Sequence, residues 1–217
     1  MELRADLDVH VGVDQTEHQF VPSPTAGVER IMLDRVGDEV AVATSIVRYA
    51  TGSAFPPHDH AKGEEFIVLD GVFSDEHGDF PAGSYVRNPP GTAHKPHSEP
   101  GCVIFVKLRQ FADADLTPVN TTLDPLAPYG QFQPLHQYRD EAVGYVRVEA
   151  GTRFAFSAAY HVRELLVLSG EVTWQQEVTR TLGAWSWIRM HPGQPLRVNA
   201  VTDSLLFTKT RPVYRAP

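Results

Sequence analysis

The stretch Pro56–Gly71, PPHDHAKGEEFIVLDG, decides how this chain reads. It sets His58, His60 and Glu64 directly before an apolar run. Imidazoles and carboxylates at the edge of a core carry a desolvation cost unless a partner offsets it. His58 and His60 are two residues apart, so on a strand they point to one face. Glu64 reaches the same space from the start of the next strand, after the turn AKG. His94 comes from a distant segment, so only a closed or folded sheet brings it to the other three. Three imidazoles and one carboxylate suit one divalent first-row metal: iron, manganese, nickel or zinc. On a six-coordinate ion these four ligands leave two positions open, whereas on tetrahedral zinc they close the site. Glu65 is the rival carboxylate, but alternation along a strand turns it to the opposite side.

Outward from this stretch the chain offers short β-rich runs split by Gly, Pro and Asp, and few helix signals. VAVATSIVRYA (Val40–Ala50), EFIVLDGVFS (Glu65–Ser74) and CVIFVKLRQF (Cys102–Phe111) are such runs, and 17 prolines and 16 glycines supply the turns between them. The pattern predicts an all-β sandwich or barrel. Residues 112–136 carry Pro118, Pro125, Pro128 and Pro134 with few apolar clusters, which reads as a linker. β-like runs then resume and echo the first half: ELLVLSG (Glu164–Gly170) answers EFIVLDG (Glu65–Gly71). Gly52 pairs with Gly151 and Gly71 with Gly170 at an offset of 99, and Gly83 with Gly183 at 100. A nearly constant offset predicts an internal duplication, hence two barrels. The expected division is a first domain over 1–111, a linker over 112–136 and a second domain over 137–217. At the same offset His58, His60 and Glu64 become Ser157, Ala159 and Arg163, and Leu196 falls where the later histidine would stand. The second barrel is therefore expected to hold no metal.

The spacing of Gly52, His58, His60, Glu64 and Gly71, followed by Gly83, Pro89, Gly91 and His94, resembles the two-motif signature of the cupin superfamily. It departs at Ser98, where an Asn is common. The stretches SPTAGVERIMLDR (Ser23–Arg35), His58–His94 and GCVIFVKLRQ (Gly101–Gln110) resemble a narrower group, the cupin domain of the ChrR anti-sigma factors and the free-standing ChrR-like cupins. The resemblance covers about residues 20–111. It implies a cupin barrel with metal bound by His58, His60, Glu64 and His94; in the anti-sigma factors that metal is zinc. Together with the duplication, the expected fold is all-β, a bicupin of two jelly-roll barrels. Those factors carry a separate helical zinc domain that grips the sigma factor. This chain opens almost directly into the cupin and has no Cys pair, so sigma-factor binding is not implied. The ChrR-like dioxygenases that cleave β-diketones use a three-histidine iron site, from which Glu64 departs.

At 42% hydrophobic and 21% charged the composition is that of a globular protein. A formal net charge of −8 without a basic cluster argues against nucleic acid and anionic membranes as partners. No apolar run has the length of a membrane span. The start lacks signal-peptide features, and Cys102 is the one cysteine, so the cytoplasm is the expected compartment. Cys102, at the start of an apolar strand, reads as a buried inert thiol, and His77 as a turn residue. Phe66 and Val68 share the parity of Glu64 and are expected to line a pocket for a small organic ligand. Tyr85 and Arg87 share one strand face. Either they line the cavity and hold an anionic ligand, or Arg87 pairs with a carboxylate at the core edge. Edge strands and a spare barrel predict a homodimer. Two functions follow: a metal-binding module that senses or binds a small molecule, or a metal-dependent dioxygenase acting on a small diketone-like substrate. An isomerase is a weaker third. No general base can be named.

Overall fold

The computed structural model describes residues 1–38 and 40–211; the last six residues of the expected second domain lie outside the described residues. Apart from one short 3-10 turn, Gln15–Glu17, every regular element among the described residues is a β-strand. Contacts divide the chain into two compact units, Met1–Ala5 with Gln19–Leu123, and Asp6–His18 with the residues from Asp124 onward. This differs from the expected division in two places. Val11–Val13 pairs antiparallel with Trp187–Met190, which assigns the N-terminal segment to the second unit. Val119–Thr122, inside the expected linker, pairs with Ser84–Asn88 and extends the first unit. Both pairings join segments distant in sequence, and such partners leave no local trace in composition.

In the first unit the main sheet runs Glu2–Leu3, Val28–Gly37, Ala41–Tyr49, Cys102–Leu108, Glu64–Asp75, Ser84–Asn88 and Val119–Thr122, with every pairing antiparallel. The 12-residue strand Glu64–Asp75 belongs to both layers of this jelly roll. Its first half pairs with Cys102–Leu108, and its second half with Gly78–Pro81 and His97–Ser98. The bend between the halves lies at Gly71, whose φ is 70° and where a Cβ would stand 2.1 Å from the Gly101 carbonyl oxygen. Only glycine tolerates both the left-handed backbone and that approach.

The second unit repeats the plan. One sheet runs Gln133–Tyr138, Glu141–Val148, Ser204–Arg211, Val162–Ser169, Trp187–Met190 and Val11–Val13; the other runs Arg153–Phe156, Leu196–Ala200, Val172–Gln175 and Thr179–Leu182. Gly170 has φ 84°, and its Cβ would lie 2.3 Å from the Asp203 carbonyl oxygen. The register breaks between Val68 and Asp70 in the first unit, and between Val167 and Ser169 in the second. The duplication thus extends to a β-bulge at the same repeat position.

Alternation then sorts the side chains. Glu64, Phe66 and Val68 turn inward, the last two into a core with Phe73, Phe80, Val86 and Ile104. Burial of such side chains contributes about 1.5–3 kcal/mol each. Glu65, Tyr85, Arg87 and Lys107 turn to the opposite face, where they are also buried. Glu164, Trp187, Arg189 and Lys209 hold the matching register in the second unit.

Candidate metal centre

His58 starts the short strand His58–Asp59, which pairs with Ala93–His94 and sets His58 directly opposite His94. His60 follows the strand, and Glu64 opens the long strand after the turn at Gly63. Gly63 has φ 77°, and a Cβ there would press to 2.4 Å from the Phe111 ring, so the tight turn that delivers Glu64 requires glycine. The nearest ligand atoms of His58, His60, Glu64 and His94 all lie within 4.8 Å of one another. Glu64 Oε1 is 3.6 Å from His60 Nε2 and 3.5 Å from His94 Nε2. The three imidazole centroids stand 4.6–5.2 Å apart. His60, Glu64 and His94 are buried, and His58 is half-buried.

The other ring nitrogens settle the tautomers. His58 Nδ1 lies 3.0 Å from the Pro56 carbonyl, which can only accept. His94 Nδ1 lies 3.0 Å from Asp75 Oδ2. His60 Nδ1 lies 2.9 Å from Thr92 Oγ1, and the Thr92 hydroxyl donates to the Pro89 carbonyl, so it accepts from the imidazole. Each ring therefore carries its proton on Nδ1 and aims the Nε2 lone pair at the common centre, the arrangement that orients metal-ligating histidines. His60 Nε2 is buried without a hydrogen-bond partner among the described residues. Three convergent imidazole lone pairs, one of them orphaned, beside one carboxylate fit a divalent cation.

Electrostatics around the centre are uneven. Desolvation holds the His60 imidazole below its ordinary pKa; Glu64 pulls it up and the other two imidazoles push it down. Burial also pulls His94 down, but the Asp75 hydrogen bond and the Glu64 charge outweigh it and the net shift is upward. Burial pushes the Asp75 carboxyl up, while its bonds to His94 and to the His77 backbone N–H outweigh this and lower it. Asp75, in DEHGD, reads in the sequence only as part of a turn; its role as the partner of His94 depends on the fold.

A cavity of about 620 Å³ opens on the four residues. Its walls include Val28, Val47, Tyr49, Phe55, Phe73 and Ile104. Phe66 and Val68 share the inward face with Glu64 but lie in the core and do not line this space; Phe66 packs behind Phe73, with centroids 4.5 Å apart. Tyr85 and Arg87 do not line it either. Both pair in register with the Glu65 side of the long strand, so they turn away from the centre. The Tyr85 hydroxyl and Arg87 Nη1 each donate to Glu65 Oε2 at 2.8 Å, and Arg87 Nη2 to Asp115 Oδ2 at 2.6 Å. Of the two readings of Arg87, the structure shows the carboxylate partner. The same bonds turn Glu65 away from the imidazoles. His97 sits half-buried on the short strand His97–Ser98, and the Ser98 hydroxyl donates to the Val72 carbonyl.

Two jelly-roll units on one chain, the first with a histidine–glutamate cluster able to hold a metal, define a cupin-fold protein. Residues 8–112 match the family model of the ChrR cupin-like domain. None of the curated proteins matches the chain. Among solved structures, the chain is similar to the bacterial pirin YhhW from Escherichia coli in complex with nickel(II), at 16% identity and TM-score 0.70, over 94% of this chain and 100% of that one. The Escherichia coli protein Ylba is similar at 12% identity and TM-score 0.73, over 94% and 92%. A variant of salicylate 1,2-dioxygenase from Pseudoaminobacter salicylatoxidans is similar at 11% identity and TM-score 0.55, over 77% and 70%. At such identities the likeness is one of fold. No helix among the described residues is long and apolar enough to cross a membrane.

Proposed function

We propose that the protein is a metal-dependent small-molecule-binding cupin, with one divalent ion held by His58, His60, Glu64 and His94 in the first unit. The observation that carries this reading is the convergence of three Nε2 lone pairs, each fixed by a bond at Nδ1, with the Glu64 carboxylate. When bound, the ion would supply a Lewis acid for an oxygen donor of the ligand. Asp75 and Thr92 hold two of the imidazoles in orientation, and the apolar wall excludes water from the ligand's body. The partner in this reading is a small organic molecule rather than nucleic acid or a membrane. Zinc and iron are the first candidates, and the nickel complex of the fold relative keeps nickel among them. Elemental analysis of protein purified without added metal, then reconstituted with each ion, tests the reading. One equivalent per chain supports it, and none under metal-replete conditions overturns it.

A second reading, a metal-dependent dioxygenase, is favoured by one feature: the cavity opens directly on the ligands and is large enough for a small organic substrate. Oxygen consumption by the iron-loaded protein with a panel of β-diketones tests it. Turnover that disappears in His60→Ala supports catalysis, and no uptake by a fully iron-loaded sample leaves the binding role alone.

A further inference from the structure

Arg30 occupies a position that barrel packing alone does not explain. On Val28–Gly37 it lies two residues after Val28 and pairs in register with Val47. Val28, Val47 and Tyr49 all line the cavity of the first unit, and so does Arg30. Its neighbour Glu29 faces the other side and bonds Arg48 there. An inward arginine among valines is costly unless its charge meets a partner. Arg30 Nε is buried and has no hydrogen-bond partner among the described residues. Two other cations of the wall are engaged: Lys62 with Asp113 at 2.6 Å, and Arg35 with the Asp38 carbonyl.

The charged side chains of the wall are mostly basic, although the chain is net acidic. Arg30, Arg35, Lys62 and Arg109 line the cavity against two carboxylates, Asp59 and Glu64. The chain has 19 basic and 27 acidic residues. Asp59 is exposed, and Glu64 is committed to the imidazole cluster. A space bounded by valine, isoleucine and phenylalanine, with Arg30 set among them and Arg35 and Arg109 also in its wall, suits an organic anion with an apolar body. Guanidinium is the side chain whose planar fork matches a carboxylate with two parallel hydrogen bonds.

We propose that Arg30 is the anion-recognition residue of this cavity, so that the ligand is a small organic carboxylate whose acid group pairs with the Arg30 guanidinium while its apolar body lies against Val28, Val47, Phe73 and Ile104. This deepens the reading of the same site as a metal-dependent binding pocket, and it specifies the ligand class.

The test uses the full chain in two forms, chelator-treated and zinc-loaded, titrated calorimetrically with C4–C8 aliphatic monocarboxylates and benzoate, each beside its neutral primary amide. In both forms the wild type is expected to bind at least one acid about tenfold or more tighter than its amide, the scale set by one charge-assisted hydrogen-bonded pair. Arg30→Ala abolishes that preference without changing amide binding more than twofold or altering the zinc stoichiometry, and Arg30→Lys restores part of it. An acid preference that survives Arg30→Ala, equal loss of acid and amide binding, or no acid bound by either form overturns the proposal. A preference confined to the zinc-loaded form also overturns it, because the ion would then be reading the acid. Elemental analysis separates the two ideas. A chain that holds one metal but shows no Arg30-dependent preference refutes the anion site alone, whereas an Arg30-dependent preference in a chain that never holds metal refutes the metal centre alone.

Discussion

The first jelly roll sets His94 opposite His58 across a short ladder; the second sets Leu196 opposite Phe156 across the corresponding one. Around that ladder the two units agree. Both bend at a left-handed glycine, both carry a bulge at the same repeat position, and both place Glu, Arg and Lys in register on the side away from the core. They part on the inner face. Where the first has Glu64 and an open cavity, the second has Arg163, whose guanidinium lies 4.9 Å from the Phe156 ring centroid, beside a core that includes Trp174, Leu182, Met190 and Leu196. Burial lowers the Arg163 pKa. The scaffold is therefore indifferent to the site: a few inward side chains decide whether this place in a jelly roll carries a ligand cluster or apolar packing.

The largest effect expected from that contrast is a double dissociation. His94→Ala should lower metal affinity at least ~100-fold, because even the outer partners of ligating histidines are worth about 10–100-fold. Leu196→Ala should leave the metal content at one equivalent and instead cost about 2–5 kcal/mol of stability, the usual range for truncating a buried leucine. Metal stoichiometry and denaturant unfolding read the two results side by side. A Leu196→Ala protein that loses its metal would break the separation of roles.

Next in size are the features the units share. Arg87 and Arg189 are both fully buried. Arg87 bonds Glu65 and Asp115, and Arg189 Nη2 donates to the Asp6 carbonyl. Replacing Arg87 with methionine should destabilise the first unit by roughly 3–5 kcal/mol, since the Glu65 and Asp115 carboxylates are left behind in a dry interior. The change should not alter metal content. Gly71→Ala and Gly170→Ala come third, at about 1–3 kcal/mol for the left-handed backbone alone, with the carbonyl approach adding to it. The two glycine variants should match, and a clear difference in denaturant midpoint shift would mean that the duplicated bends do different work.

Much of this was legible in the residue order. The two-residue spacing of His58 and His60 and the parity that separates Glu64 from Glu65 are local properties, and the recurrent glycines at an offset near 99 mark the bends the backbone must make. Parity also puts Tyr85 and Arg87 on one face, but which face meets the cavity depends on pairing with the long strand, and that pairing opposes Arg87 to Glu65. Phe66 and Val68 face inward as their parity requires, yet depth along a barrel is not written in alternation. Arg30 in GVERIML looks like any charge on a strand, and its inward turn is fixed only by the partner Val47. Asp75 is invisible for the same reason: its bond to His94 spans 19 residues.

The smallest expected effect concerns Cys102, which faces Gly71 across the first bend as Ser204 faces Gly170 across the second. The Ser204 hydroxyl is satisfied by the Glu171 and Thr202 carbonyls. The Cys102 thiol is buried, and burial pushes its pKa up to about 11. The thiolate is the reactive form, so at pH 8 the native thiol should resist an aromatic disulfide reagent and react fully only after denaturation. The linkage sign follows. Between the ordinary thiol pKa and about 11 the unfolded chain loses this proton and the native chain keeps it, so the native state binds more protons and stability falls as pH rises. Cys102→Ser, which makes the first bend resemble the second, removes that alkaline loss at a cost of about 1–3 kcal/mol if the new hydroxyl finds no acceptor. Denaturant midpoints of the two proteins at pH 8 and pH 10 check this. The gap between them should narrow at the higher pH, and a gap that stays constant would place Cys102 in water rather than in the core.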